Sequence, residues 1–291
     1  MESALSQPRT IVITGASRGM GLSAALQFAA AGDKVVTGVR SESGLAGVRD
    51  AAAAAGVAVE AVVMDVCDDA SVRAAIGGVF DRHGQIDVLV ANAGVGAMGT
   101  LEELSMDALR SAMEINFYGA VRVTKAVLPS MRERRSGRLI AVSSVGGVLG
   151  QPFTDAYCAA KFALEGLFES LRPVAAQFGV GVSIVEPGPV ASEFHERSQG
   201  FGREELDVKG DPYGELRRRY DAFMAAGSTR KQPVDEAAKV IVDVAGSPDP
   251  LLRYQTSRFT TRLVGLKLAD LDGAQVSGFT SRWFDTLPAS S

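Results

Sequence analysis

Apolar residues in this chain fall into two alternating rhythms. Short runs rich in Val, Ile and Leu occur at Arg9 to Thr14, Lys34 to Val39, Val57 to Met64, Val88 to Ala91, Leu139 to Val142 and Val180 to Val185. They predict strands. Between them lie helical patterns: Leu22 to Ala31 ending at Gly32, a short helix closing with Ala51 to Ala55, Asp69 to Arg82, Met106 to Arg134, and Tyr157 to Phe178. Pro173 is expected to bend the last of these. A further helix is expected at Val234 to Ala245. Strand and helix in strict alternation imply parallel strands joined by right-handed crossovers, hence an α/β fold: a Rossmann-like doubly wound parallel sheet with helices on both faces.

The alternation stops after Pro187-Gly188. Residues 189–232 are polar, glycine-containing and charged, too long for an ordinary connection, and read as a substrate lid. Inside it Tyr213, Leu216, Tyr220, Phe223 and Met224 recur at helical spacing opposite Arg217, Arg218 and Arg219. Two readings of that stripe stay open: internal packing, or a lid helix over an apolar substrate. The arginine run reads as a solvated face. In a C-terminal extension, 250–291, Phe259, Leu263 and Leu266 share a helix face, while Gly273 to Ser291 reads as irregular with a mobile end.

Composition narrows this further. The 291 residues suit one large domain over the whole chain, since sheets with helices on both faces often reach this size. Thirty basic against thirty-four acidic residues give a net charge of -4, without the basic field that draws nucleic acid. No leader pattern opens MESALSQPRT and no uncharged apolar run reaches membrane-spanning length, so the expectation is a soluble, cytoplasmic protein with no integral membrane segment. Cys67 and Cys158 are too few for a disulfide framework, and with His83 and His195 they suggest no metal site. Cys158 reads as small-residue packing.

The candidate chemistry falls at the ends of the strand runs. After the first comes GASRGMG, Gly15 to Gly21, leading into a helix; such glycines allow a tight turn and close approach to a pyrophosphate at the helix N-terminus. The spacing is Gly-x-x-x-Gly-x-Gly rather than the usual dinucleotide fingerprint. The second run ends in Arg40, where an NAD site would carry an acidic residue. With Arg18 it would pair with a ribose 2′-phosphate and favour NADP(H). Asp65, Asn92, Ser144 and Pro187 close the later runs. Tyr157 and Lys161, four apart on a helix, share a face, and an ammonium beside a phenol pulls its proton affinity down towards the range of an acid/base catalyst.

TGASRGMG at 14–21, Asp65-Val66, Asn92-Ala93-Gly94, Asn116, Ser144, Tyr157, Lys161 and Pro187-Gly188, in this order and spacing, resemble the short-chain dehydrogenase/reductase family. Further segments, VGGVLGQPFTDAYCAAKFALEGLFESL, EPGPVASEF and LRYQTSRF, are similar to its 17β-hydroxysteroid dehydrogenase type 1 and retinol dehydrogenase branch. The resemblance implies that Tyr157 exchanges a proton with the substrate oxygen, that Ser144 rather than Ser143 hydrogen-bonds the same oxygen, and that Lys161 holds the nicotinamide ribose and depresses the Tyr157 pKa. Asn116 would support a water-linked proton path. Gly15, Ser17, Arg18, Gly19, Met20, Gly21, Asn92, Ala93 and Gly94 would shape the NADP(H) cleft, with Asp65 and Val66 at the adenine and Pro187, Gly188, Val190 and Ser192 near the carboxamide. Alanine at 91 stands where the family often has asparagine. The histidine and glutamate with which the steroid enzyme holds the far end of its substrate lack counterparts near Met224 to Gly227 and Ser281 to Phe284. The expected reaction is ketone to secondary alcohol, or the reverse, on a bulky apolar small molecule, by a homodimer or homotetramer assembled through the long helices. The rival expectations are a cofactor-sensing protein without catalysis, a broad carbonyl reductase and a membrane-associated reductase.

Overall fold

A computed structural model of the chain describes residues 8–194, 198, 210–226 and 231–284. Much of the expected lid, the first seven residues and the expected mobile end at 285–291 lie outside the described residues. Seven parallel strands form one sheet in the order β3-β2-β1-β4-β5-β6-β7. They are β1 (Thr10–Thr14), β2 (Lys34–Val39), β3 (Glu60–Val63), β4 (Val88–Ala91), β5 (Gly137–Val142), β6 (Val180–Glu186) and β7 (Arg253–Gln255). The fold is Rossmann-like, as the alternation predicts.

The strand sequences are apolar without a break because each face of the sheet is covered. Side chains on a strand alternate faces, and the two cores divide accordingly. Val12, Leu89, Ala91, Leu139 and Ala141 pack on one side; Ile11, Ile13, Val88, Val90, Ile140 and Val142 pack on the other. The first core is roofed by α3 (Asp69–His83), α5 (Gly119–Arg134) and α6 (Asp155–Ala176), the second by α1 (Gly19–Ala30) and a later helix at Val234–Gly246, while α2 (Glu42–Ala54) packs Leu45 and Val48 against Val39 of β2. Each fully buried Leu or Ile contributes about 1.5–3 kcal/mol, so the two sheet faces, rather than any single helix, hold the site in place.

Four details depart from the sequence expectations. The helical pattern Met106 to Arg134 is interrupted: α4 (Met106–Met113) and α5 flank a π-helical turn at Glu114–Tyr118. The helix expected from Tyr157 to Phe178 spans Asp155–Ala176, with Pro173 inside it. A seventh strand, β7, escapes the pattern because three half-buried residues carry no periodicity. The segment after Gly273, expected to be irregular, forms a helix at Ala274–Ser281 and a 3-10 turn at Arg282–Phe284. No helix among the described residues is long and apolar enough to cross a membrane.

Candidate active site

Since every strand runs the same way, the loops after β1 to β6 open on one edge of the sheet, where ligands of such folds bind. The order places β1 between β2 and β4, making the β1/β4 loops the point where the chain's winding reverses. There the two loops are stitched together. Asn92 donates its amide hydrogens to the carbonyls of Thr14 (2.9 Å) and Gly15 (3.2 Å), and the Thr14 hydroxyl accepts from the backbone N–H groups of Asn92 and Ala93, each at 3.1 Å. Gly15 has φ +67°, and a Cβ there would lie 2.6 Å from the Ala93 Cα; at Gly21 one would lie 2.4 Å from the Asn92 amide nitrogen. No side chain caps the N-terminus of α1, so its first N–H groups are left for another acceptor. This cradle fits the phosphates of a dinucleotide. Thr14 is a participant that the sequence reading omitted, although its place before the first glycine was the available signal.

The remaining cofactor candidates surround the cradle unevenly. Ser17, Gly19 and Met20 are half-buried in the glycine turn, and Gly94 is packed so closely that a Cβ would lie 2.8 Å from the Asn116 side-chain oxygen. Arg40 is exposed just past β2. Arg18 is exposed too, but its guanidinium faces Glu193 at 3.8 Å rather than Arg40. The Asp65 carboxylate accepts from the Cys67 N–H at 2.9 Å, and the Val66 side chain is buried in the core beside Gly119. After β6, the Pro187 carbonyl accepts from Val145 N–H at 2.8 Å. The chain through Gly188, Val190 and Ser192 then bridges to Gln232, whose side chain donates to the Thr256 carbonyl at 2.8 Å.

Asn116, Ser144, Tyr157 and Lys161 meet on the other side of the Asn92 loop. Asn116 is carried by the π turn, a local widening of a helix that recurs at functional sites. It is buried, donates to the Val95 carbonyl and the Ala112 carbonyl, each at 3.0 Å, and accepts from Val95 N–H at 3.1 Å. Both its amide hydrogens are committed to the backbone, so the side chain braces the loop wall. Ser143 and Ser144, adjacent and extended, face opposite ways: Ser143 is buried towards Glu165, while Ser144 accepts from Gly146 N–H at 3.0 Å and lies against Tyr157. Lys161 is buried, with its ammonium donating to the Val142 carbonyl at 2.8 Å and lying 5.9 Å from the centre of the Tyr157 ring.

The electrostatics correct one expectation. Burial pushes the Tyr157 phenol up to about 12, against the opposing effect of the Ser144 bond. Lys161 was expected to pull it down, yet burial pushes Lys161 itself down to about 8, with Glu165 opposing. For each group desolvation outweighs what its neighbours offer the charged form.

A cap closes over this edge. Phe194 meets the Tyr157 ring edge-on at 5.7 Å. The helix Gly214–Ala226 resolves the open question about the aromatic stripe in favour of packing. Tyr220 is buried, Phe223 stacks on Trp283 at 5.3 Å, and both belong to a cluster with Met98, Phe153 and Phe279, while Leu216 stays exposed. The arginine run is not uniformly solvated. Arg218 and Arg219 pair with Glu215 at the surface, but Arg217 turns inward to the buried Glu103 and lies over the Phe153 ring at 5.4 Å. Phe153 has φ +59°, an uncommon conformation for a bulky residue, held by ring contacts to Tyr220 and Phe284. Cys158 is buried beneath, bonded to the Thr154 hydroxyl at 3.3 Å, which fits its reading as packing.

The fold and this arrangement of residues agree with the comparisons. Residues 9–200 match the model of the short chain dehydrogenase family, and the chain belongs to that family. It is 41% identical to retinol dehydrogenase 8 of Bos taurus, covering 92% of this chain and 87% of that one. It is 38% identical to human 17-beta-hydroxysteroid dehydrogenase type 1, covering 97% and 88%. Among solved structures, a short-chain dehydrogenase from Streptomyces avermitilis superposes with a TM-score of 0.77 at 31% identity, covering 97% of this chain and all 100% of that one. The chain is thus an oxidoreductase-family member related to steroid and retinol dehydrogenases.

Proposed function

We propose that this protein is an NADP(H)-dependent oxidoreductase that interconverts a ketone and a secondary alcohol on a bulky apolar substrate, with Tyr157 as general acid/base. The observation that carries the reading is the convergence of Asn116, Ser144, Tyr157 and Lys161 beside the Thr14-Gly15-Asn92 cradle. A bound nicotinamide dinucleotide supplies or accepts the hydride. The glycine turn and Asn92 loop hold its phosphates, Arg40 and Arg18 supply the positive charge that suits a 2′-phosphate, and Lys161 and Gly188 line the far wall.

In the reducing direction, Ser144 and Tyr157 donate hydrogen bonds to the carbonyl oxygen, and the phenol releases its proton as negative charge grows there. A phenol pushed up to about 12 is protonated at neutral pH and ready to donate. Oxidation needs the phenolate, so it should accelerate as pH rises. The apolar cap, with retinol- and steroid-handling relatives, supports a lipid-like substrate.

A panel of steroids, retinoids and long-chain ketones with NADPH and NADH tests the reading. Tyr157→Phe should lower turnover by about 100-fold or more and leave NADPH binding nearly intact; an active variant sinks the mechanism. Arg40→Asp should raise the KM for NADPH far more than for NADH. Equal effects on both would remove the cofactor preference.

A further inference from the structure

Lys161 is followed at four-residue intervals by Glu165 and Glu169, so Tyr157, Lys161, Glu165 and Glu169 lie along one face of α6. Below Lys161 this face meets the ends of two strands. Arg253 on β7 directs its Nε at Glu165 (3.1 Å) and at Glu186 on β6 (3.2 Å), and a terminal nitrogen at Glu169 (2.5 Å). Gln255 donates to the other Glu186 oxygen at 2.7 Å. Glu165 and Glu186 are buried, at 5% and 0% exposure, while Glu169 reaches solvent. Ser143 faces Glu165, and Gly147 allows the approach: a Cβ there would lie 2.5 Å from the Ser143 hydroxyl and 3.1 Å from the Glu165 Cγ.

One guanidinium therefore serves two buried carboxylates, and burial pushes both towards the neutral form. Buried charge of this kind is costly unless a counter-ion is near. Beside Arg253, Glu186 and the outer Glu169, the charged group nearest Glu165 along its helix face is Lys161, one turn earlier on α6; Arg172, also on α6, is turned away to the carbonyls of Val182 and Pro250. Among the described residues, the hydrogen-bond partner of Lys161 is the Val142 carbonyl.

We propose that Glu165, held by Arg253 and Glu186, is a positioning residue that keeps the Lys161 ammonium charged and aligned beneath Tyr157. Burial favours the neutral form of Lys161, and Glu165 is the group that opposes it. The role rests on the functional reading above, yet it can be tested without turnover. In full-length protein carrying lysine labelled with 13C at Cε, the Lys161 signal, identified by its loss in Lys161→Arg, is titrated by NMR. Glu165→Gln should lower its midpoint by about one pH unit, and the alkaline limb of ketone reduction should move down with it. Arg253→Gln, which makes Glu165 harder to ionise, should lower the midpoint in the same direction by less, and reports on the role if Glu165→Gln fails to fold. Reduced thermal stability with an unmoved Lys161 midpoint in the folded variants would overturn the proposal. Absence of any ketone reduction by the unmodified protein would instead overturn the functional reading, and the NMR midpoints would still stand or fall alone.

Discussion

At the glycine-turn end of the site, Thr14, Gly15, Asn92 and Ala93 are joined by one hydroxyl and one amide to backbone groups, and the space between them is too small for a methyl group. At the cap, Phe153, Tyr220, Phe223, Phe279 and Trp283 meet ring to ring, with the Arg217–Glu103 pair at the margin. Each bond in the first region needs the Thr14 hydroxyl or the Asn92 amide at one place, so that region tolerates little change. Ring packing depends on the summed shape of several side chains, so the second region can be rebuilt without disturbing the first.

Trp283→Ala should have the largest effect on stability. It removes a buried ring in contact with three others, and core truncations of this size cost about 3 kcal/mol or more. The comparison expects the melting temperature to fall while NADPH binding is unchanged; a parallel loss of cofactor binding would mean that cap and cradle are coupled. Gly21→Ala should do the converse. Its methyl would collide with the Asn92 amide and break the bonds to Thr14 and Gly15, at about 1–3 kcal/mol. NADPH affinity, read by fluorescence titration, should weaken by about tenfold to a hundredfold with the cap intact.

Arg217→Gln should cost less, about 1–2 kcal/mol. Burial pushes Glu103 up, but its bonds from Thr100 and Arg217 more than offset this and hold it below the usual carboxylate range. Because that pKa is lowered in the fold, the stabilisation is present above the ordinary carboxylate range and fades as the solution is acidified. The deficit of the variant should therefore shrink in acid, which chemical denaturation at several pH values would detect.

The smallest effect concerns Glu165. Burial, with Glu186 adding and Ser143 and Arg253 opposing, pushes it up to about 7. A carboxyl raised in the fold costs nothing below its ordinary range and a growing amount as pH rises from there to about 7. Glu165→Gln escapes that charge penalty, so its melting temperature relative to the parent should improve between about pH 4 and pH 8. A constant difference across that range would contradict the burial of an ionisable group there.

Much of the cradle was legible before any coordinates, because glycine, asparagine and the Tyr-x-x-x-Lys spacing report backbone geometry and helix faces directly. Less legible were features that depend on partners distant in sequence. Arg217 looked solvated because three consecutive arginines cannot show which one turns inward to Glu103. Glu165 carried a visible signal, the continuation of the four-residue spacing beyond Lys161, but its burial depends on β7, nearly ninety residues later, as the register Glu186 with Gln255 shows. The direction of the Tyr157 pKa differs from the expectation for the same reason: adjacency to Lys161 is local, whereas desolvation is set by everything packed around both.

The sequence by itself determined the parallel α/β architecture, the family and the quartet of candidate catalytic side chains, since periodicity and spacing are local properties that survive into the fold. Tertiary structure alone decided that the aromatic stripe packs on Trp283, that Arg217 turns inward to Glu103, and that Glu165, one turn from Lys161, is buried beside Glu186. Each of these turns on which surfaces exclude water together, and water exclusion belongs to the assembled chain.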